Sequence, residues 1–147
     1  MTTASQPPHP LDPSERERRY QALDAWIDRH FDDEVRFLRE LVRVPTDTPP
    51  GNNAPHAERT AGLLADLGLE AQRHAVPDAE VRAAGLESIT NLIVRRRYGD
   101  GPVVAMNAHG DVVPPGDGWT HDPYGGEIVD GKLYGRASAV SKSDFAT

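Results

Sequence analysis

The chain has 147 residues, 37% hydrophobic and 27% charged, with a formal net charge of -7 and no cysteine. That is enough for one domain with a core and too little for two, and it excludes a disulfide framework or a thiolate metal site. The acidic balance argues against nucleic acid; no stretch approaches the roughly 18 apolar residues of a membrane span; and MTTASQPPHPLDPSERERR lacks the basic-then-apolar build of a secretory leader, so a cytoplasmic protein is expected.

Residues 1–13 hold four prolines and little to bury, and read as a disordered arm, leaving 14–147 as the folded domain. From Ser14, Tyr20, Leu23, Trp26, Ile27 and Phe31 recur at helical spacing and make one apolar stripe. Asp32-Asp33 reads as a break and a new N-cap, after which Val35, Leu38, Leu41 and Val42 form a second stripe that Pro45 ends. TDTPPGNNAP is a loop. A third helix is expected from a first-turn Pro55 to Gly68, burying Thr60, Ala61, Leu64 and Leu67.

Beyond Gly68 the period changes. Leu69 to Val76 suggests an edge strand, 77–88 a loop, SITNLIVRRR a strand, and YGDGP a hairpin turn. VVAMNAH is a short continuous apolar run, the form of a strand covered on both faces by helices. EIVDGKLYG is a second hairpin turning at Asp130-Gly131. Helices followed by strands and a closing helix start point to a layered α/β domain. In SAVSKSDFAT, Ser141 and Asp144 have capping-box spacing. A helix begins there and the chain stops about a turn later. Isolated helical nuclei are unfavourable, so a fragment is expected.

The chemistry concentrates in NAHGDVVPPGDGW. On a strand, residues two apart share a face, so His109 and Asp111 project together from the end of VVAMNAH. Ligands of open α/β sheets bind beyond the carboxyl ends of the strands. An imidazole offers a ring nitrogen to a metal, and a nearby carboxylate fixes its tautomer. Gly110 lets backbone pass close by. The bland alternative is a strand-end histidine with a turn-capping aspartate. His121 in its loop, and the scattered His30, His56 and His74, read as surface residues, and Asp117 as a turn residue. Trp119 reads as a buried anchor and Arg136 as the partner of a nearby carboxylate. Asn91 and Asn107 are read as satisfying strand-end backbone groups, with substrate contact the lesser alternative. The glycine-containing turns lack G-x-G-x-x-G or a Walker lysine, which excludes the usual nucleotide loops.

HGDVVPPGDGW, then DPYGGEI, then DGKLYGR with SKSDFA after it, together resemble the N-terminal catalytic segment of the M20 metallopeptidases. The resemblance begins near Trp26, takes in LVRVPTDTPPG and runs to the last residue. It implies a three-layer zinc-peptidase-like α/β catalytic domain, a mixed sheet flanked by helices, of which this chain holds the N-terminal part. It also implies two zinc ions in the full-length chain, with cobalt as a possible substitute. His109 matches the first zinc ligand and Asp111 the acidic residue that orients it. Gly135, Arg136 and Lys142 match without gaps, which places Val140 where an aspartate bridges the two ions and Ala137 where a glycine is usual. Asp144 lies about one helical turn further on. It either caps the helix with Ser141 or comes round as a substitute ligand.

The expected function of the full-length parent is zinc-dependent hydrolysis of the amide bond of N-acyl amino acids or short peptides, in a protein that the family makes a homodimer. Neither nucleic acid nor membrane is an expected partner. The 147-residue chain alone is expected to be inactive. The alternative is a binding protein or decayed enzyme of the same fold, motivated by Val140.

Overall fold

The computed structural model describes residues 11–146. The arm expected at 1–13 lies mostly outside them. The part that is described already caps a helix: the Asp12 carboxylate accepts from the amides of Ser14 and Glu15 and from the Ser14 hydroxyl. Helix α1 accordingly runs Pro13–Val42, with proline in its first turn.

The chain divides into two compact units, Met1–Asp33 and Glu34–Thr147. In the first, α1 carries Glu15 paired with Arg18 and Arg19 one turn on. The stripe of Tyr20, Leu23, Trp26, Ile27 and Phe31 is present but stays exposed. His30 stacks on Trp26 and meets its carbonyl at 2.7 Å, which accounts for that histidine structurally. The break expected at Asp32-Asp33 does not occur. Two aspartates cost only tenths of a kcal/mol each in a helix interior, and no proline or glycine accompanies them.

The second unit is built around the end of α1, where Leu41 and Val42 are fully buried before the chain leaves the helix ahead of Pro45. Helix α2, Ala54–Asp66, starts with the expected first-turn proline and ends in a Schellman turn. The Gly68 amide bonds Ala65 O and the Leu69 amide bonds Leu64 O, both at 2.9 Å, with Gly68 at φ +72°. Its buried face is His56, Ala57, Thr60, Ala61 and Leu63. Leu64 is only partly covered and Leu67 is exposed, against expectation. The helix buries His56 and Leu63 rather than the leucines at 64 and 67.

Helix α2 packs on a two-stranded antiparallel sheet of β1, Ala71–Ala75, and β2, Thr90–Val94, in the register Ala71 to Val94 through Ala75 to Thr90. The expected loop between them contains a short helix α3, Asp78–Ala83, with acidic residues in its first turn and buried Val81. A second antiparallel pair, β3 (Glu127–Val129) and β4 (Lys132–Tyr134), turns at Asp130-Gly131 as expected. Both turn residues have positive φ, as a tight two-residue hairpin requires. Helix α4, Lys142–Ala146, follows.

The α/β composition is as expected, but the described strands form two separate antiparallel pairs rather than one mixed sheet. YGDGP does not close a hairpin: β2 pairs with β1, and the run after the turn pairs with neither edge of that sheet among the described residues. VVAMNAH is extended but unpaired, and Val103 is 94% exposed. A strand exists only through its ladder partner, and this run has none among the described residues.

Ala137, where the resemblance expects glycine, sits at φ +70°. A left-handed alanine costs about 1–2 kcal/mol, while glycine loses about 0.5–1 kcal/mol more freedom on folding. Ala137→Gly should therefore raise stability in urea unfolding by about 0.5–1 kcal/mol. A loss of stability would contradict the strain.

Candidate functional site

The site is assembled by the segment that leaves α1. Val112 pairs with this segment on both sides: its amide bonds Thr46 O at 3.1 Å and its carbonyl accepts the Thr48 amide at 2.8 Å. Asp47 and Val112 make a parallel bridge. The Thr46 hydroxyl, buried with its residue, donates to Gly110 O at 2.6 Å. His109, Gly110 and Asp111 are thus held by backbone pairing and one threonine, not by a strand ladder of their own.

His109 and Asp111 come together as expected. His109 Nδ1 lies 3.2 Å from Asp111 Oδ1 and 3.2 Å from Asp111 O. Both side chains are open to solvent, at 60% and 51% exposed, so a ligand can reach them. Ser141 is a third neighbour. Its hydroxyl is 3.0 Å from His109 Nε2 and 3.4 Å from Nδ1. Near-equal distances to both nitrogens place it against the ring face rather than along either lone pair, so it braces the imidazole. Ser141 is buried and has φ +69°. The capping box read for Ser141 and Asp144 is not formed. The Ser141 hydroxyl is turned to His109, and the Asp144 amide is taken by Ser141 O at 3.1 Å. The Asp144 side chain is exposed on α4, and it lines neither cavity that opens on His109. Val140 is exposed and lines one of them.

Lys142 follows Ser141 in the chain. It is fully buried, donates to Val44 O at 2.5 Å and lies 6.0 Å from the centre of the Tyr124 ring. Burial pulls it down to about 8, against the pull of Asp47. Tyr124 donates its hydroxyl to the Asp47 carboxylate. Burial first, and then this bond, push its phenol upward.

His56 corrects an expectation. Read as a surface histidine, it is only 5% exposed, with Phe145 edge-on at 5.8 Å. A Cβ at Gly110 would stand 2.9 Å from its ring, so the glycine is required by this contact. Burial, then Lys142, bring His56 down to about 4. The sequence signal was its position one turn before Thr60 and Ala61 on the buried face of α2; its burial partners lie on distant segments.

The remaining candidates serve structure. His121 is partly buried, stacked on Tyr134 at 4.0 Å and bonded to Glu127 at 2.7 Å. Arg136 bonds Val113 O at 2.9 Å rather than a carboxylate. Trp119, read as a buried anchor, is instead exposed, its indole donating to Pro115 O at 2.9 Å. Asp117 lies between two glycines of positive φ, and His74 is exposed on β1. Asn91 and Asn107 line the cavity beside His109.

Among the described residues, no three His, Asp or Glu side chains stand together as an ion would need. His109 and Asp111 stand as a pair, fewer than the three protein ligands that a catalytic zinc usually takes. The two side chains adjoin at the mouth of a cavity, as their spacing predicts.

The chain is 41% identical over 117 residues to a succinyl-diaminopimelate desuccinylase of Rhodospirillum centenum, covering 78% of this chain and 28% of that protein. It is 45% identical over 112 residues to the Wolinella succinogenes enzyme of the same name (76% and 27%) and 38% identical over 116 residues to that of Nitrobacter hamburgensis (78% and 28%). These relatives are M20 enzymes, and the chain is related to that family across about three-quarters of its own length. It spans under a third of theirs. No family model and no solved structure matches it.

The buried His56 predicts a pH dependence. Its folded value lies below the 6.5 of the free group, so between about 4 and 6.5 the unfolded chain binds more protons. Stability is complete above that window and falls as acid is added through it, by roughly 3 kcal/mol from this group. His56→Phe should remove that part of the slope in urea titrations at pH 4.5 and 7. Parallel curves for the two chains would contradict it.

Proposed function

We propose that this chain is the N-terminal part of the catalytic domain of an amide hydrolase acting on N-acyl amino acids or short peptides, with the three-layer arrangement completed by further elements. The observation that carries the reading is the carboxylate-oriented histidine at 3.2 Å, beside a cavity, in a chain related over most of its length to desuccinylases. The relatives' name makes N-succinyl amino acids the first substrates to try. Two zinc ions, or cobalt in their place, belong to this proposal for the whole protein, as do dimerisation and a cytoplasmic site of action. No helix among the described residues is long and apolar enough to cross a membrane.

The chain's own residues have defined parts in this reading. Asp111 holds His109 in one tautomer, with Nε2 presented outward, and Ser141 restrains the ring. Asp144 is proposed as the carboxylate that replaces the one missing at Val140. It is the sole acidic residue of α4, and its carboxylate is exposed with no hydrogen bond or ion pair among the described residues. No hydrolytic step follows from these groups alone, since they do not enclose an ion. The second reading, a non-catalytic binding protein of the same fold, rests on that same incompleteness and on Val140.

Two measurements separate them. The 147-residue chain with added zinc should show no appreciable hydrolysis of N-acetyl or N-succinyl amino acids; turnover that His109→Ala removes would contradict the partial-site account. The whole protein should carry about two zinc ions by elemental analysis, with loss on His109→Ala and on Asp144→Asn. A whole protein that binds no zinc and hydrolyses none of these substrates establishes the binding-protein reading.

A further inference from the structure

The first unit carries an apolar surface that the site on the second does not use. Every residue from Arg16 to Arg29 is exposed, so no described part of the chain covers this length of α1. Tyr20, Leu23, Trp26, Ile27 and Phe31 are 46–58% exposed on one stripe about three turns long. Helices in proteins draw most of their stability from packing such a face. At half-exposure, five side chains of this size leave on the order of 400–500 Å² of apolar surface open, an extent that marks interaction sites.

The charges beside the stripe say what covers it. Tyr20, Leu23 and Ile27 make its centre. Arg19, Trp26 and Asp33 recur seven residues apart along one flank, and Asp24 lies on the other. When two copies of α1 lie antiparallel, with Leu23 of each against Ile27 of the other, the stripe closes on itself. Tyr20 then faces the turn of His30 and Phe31, and the two Trp26 rings meet at the axis. In an antiparallel pair each flank faces its own equivalent, so Arg19 of one copy stands opposite Asp33 of the other. The ends agree with this. Residues 15–19 hold three arginines and two glutamates, and residues 28–33 hold three aspartates and one arginine. A basic end meets an acidic end, and the helix dipoles oppose. A parallel pair would keep one attraction, Arg19 with Asp24, but would set Arg16 against Arg16 on the line of Leu23 and align the dipoles. The antiparallel pair has one repulsion, Asp24 against Asp24 at the axis. Arg19 meets Glu15 at 2.8 Å within its own helix, an exposed pair that is easily exchanged. A lipid surface fits less well, because Asp24, Asp28, Asp32 and Asp33 stand where an interfacial helix carries lysine and arginine.

We propose that α1 pairs antiparallel with α1 of a second copy of this chain through Tyr20, Leu23, Trp26, Ile27 and Phe31, with Arg19 of each copy against Asp33 of the other. The pairing needs neither His109 nor an ion, so it does not rest on the hydrolase reading. Two stripes bury about 1,000 Å² together, at the low end for specific interfaces, so the dimer is a weak one that dissociates in the micromolar range.

The test is sedimentation equilibrium of the 147-residue chain from about 5 to 500 µM. The expected result is a monomer–dimer equilibrium. Leu23→Glu keeps a good helix former at an exposed position, so the thermal midpoint of the monomer stays level while association weakens about fiftyfold or more. Arg19→Glu and Asp33→Arg each weaken it about five- to tenfold, and the two changes in one chain restore it to within about twofold. Asp24→Asn tightens an antiparallel pair and weakens a parallel one. Val104→Glu, on the other exposed apolar run, changes nothing. A monomer at every concentration overturns the proposal, as does a dimer that Leu23→Glu leaves intact or that Val104→Glu removes. Single charge variants without effect, a double variant that stays weak, or weakening by Asp24→Asn overturn it equally. Capture of the monomer by phosphatidylcholine vesicles, with no dimer in solution, gives the stripe to a membrane and defeats the pairing. A monomer whose Trp26 is closed to acrylamide in a Trp119→Phe background gives it to the same chain, with the same consequence.

Discussion

The structure of the second unit depends on how residues 44–48 are held after α1 ends. Leu41 and Val42 anchor the helix end by burial, and the chain then runs as a strap tied down through several of its backbone groups. Val44 O takes Lys142, Thr46 O and the Thr48 amide take Val112, and the Thr46 hydroxyl takes Gly110. Gly135 packs so tightly on Val42 that a side chain there has no room. Asp47 receives Tyr124. The strap therefore joins three distant segments, 109–112, 124–136 and 141–142, through buried polar contacts. Such contacts are costly to leave unmade.

This arrangement explains why a histidine and an aspartate sit in register without a strand beneath them. Val103 to Met106 finds no ladder, so pleating cannot align His109 with Asp111. The strap does so instead, from the far side of Gly110. It equally brings Ser141 to His109, since Lys142 is drawn to Val44 O. The same pull leaves Val140 and Asp144 facing solvent. The His109–Asp111 pair is thus well formed, and no third histidine or acidic side chain joins it among the described residues.

What was legible in the sequence was what local chemistry decides. Gly68 ends α2 because the turn needs a left-handed residue. Asp130-Gly131 turns β3 into β4 for the same reason. The His-x-Asp pair was visible because a spacing of two residues keeps it together even without a ladder. What was not legible depended on distant partners. His56 looks like any surface histidine until Gly110 and Phe145 arrive against it. Leu67 continues the helical stripe, yet Leu63 is the leucine that is buried. VVAMNAH has the composition of a central strand, but composition does not supply a neighbour. The Asp32-Asp33 pair has the residues of a cap and neither the glycine nor the proline that stops a helix. At Ser141 and Ala137 the positive φ falls on residues that carry no local signal for it.

Amide hydrogen exchange tests the strap most directly. In the unmodified chain the amides of Thr48 and Val112 should be protected to the level of the buried turns of α2, and Thr46→Val should release Val112 while α2 stays protected. If Val112 exchanges as fast as the unpaired residues 103–106, or if Thr46→Val leaves it untouched, the strap does not hold His109 and Asp111, and the account of the site fails with it.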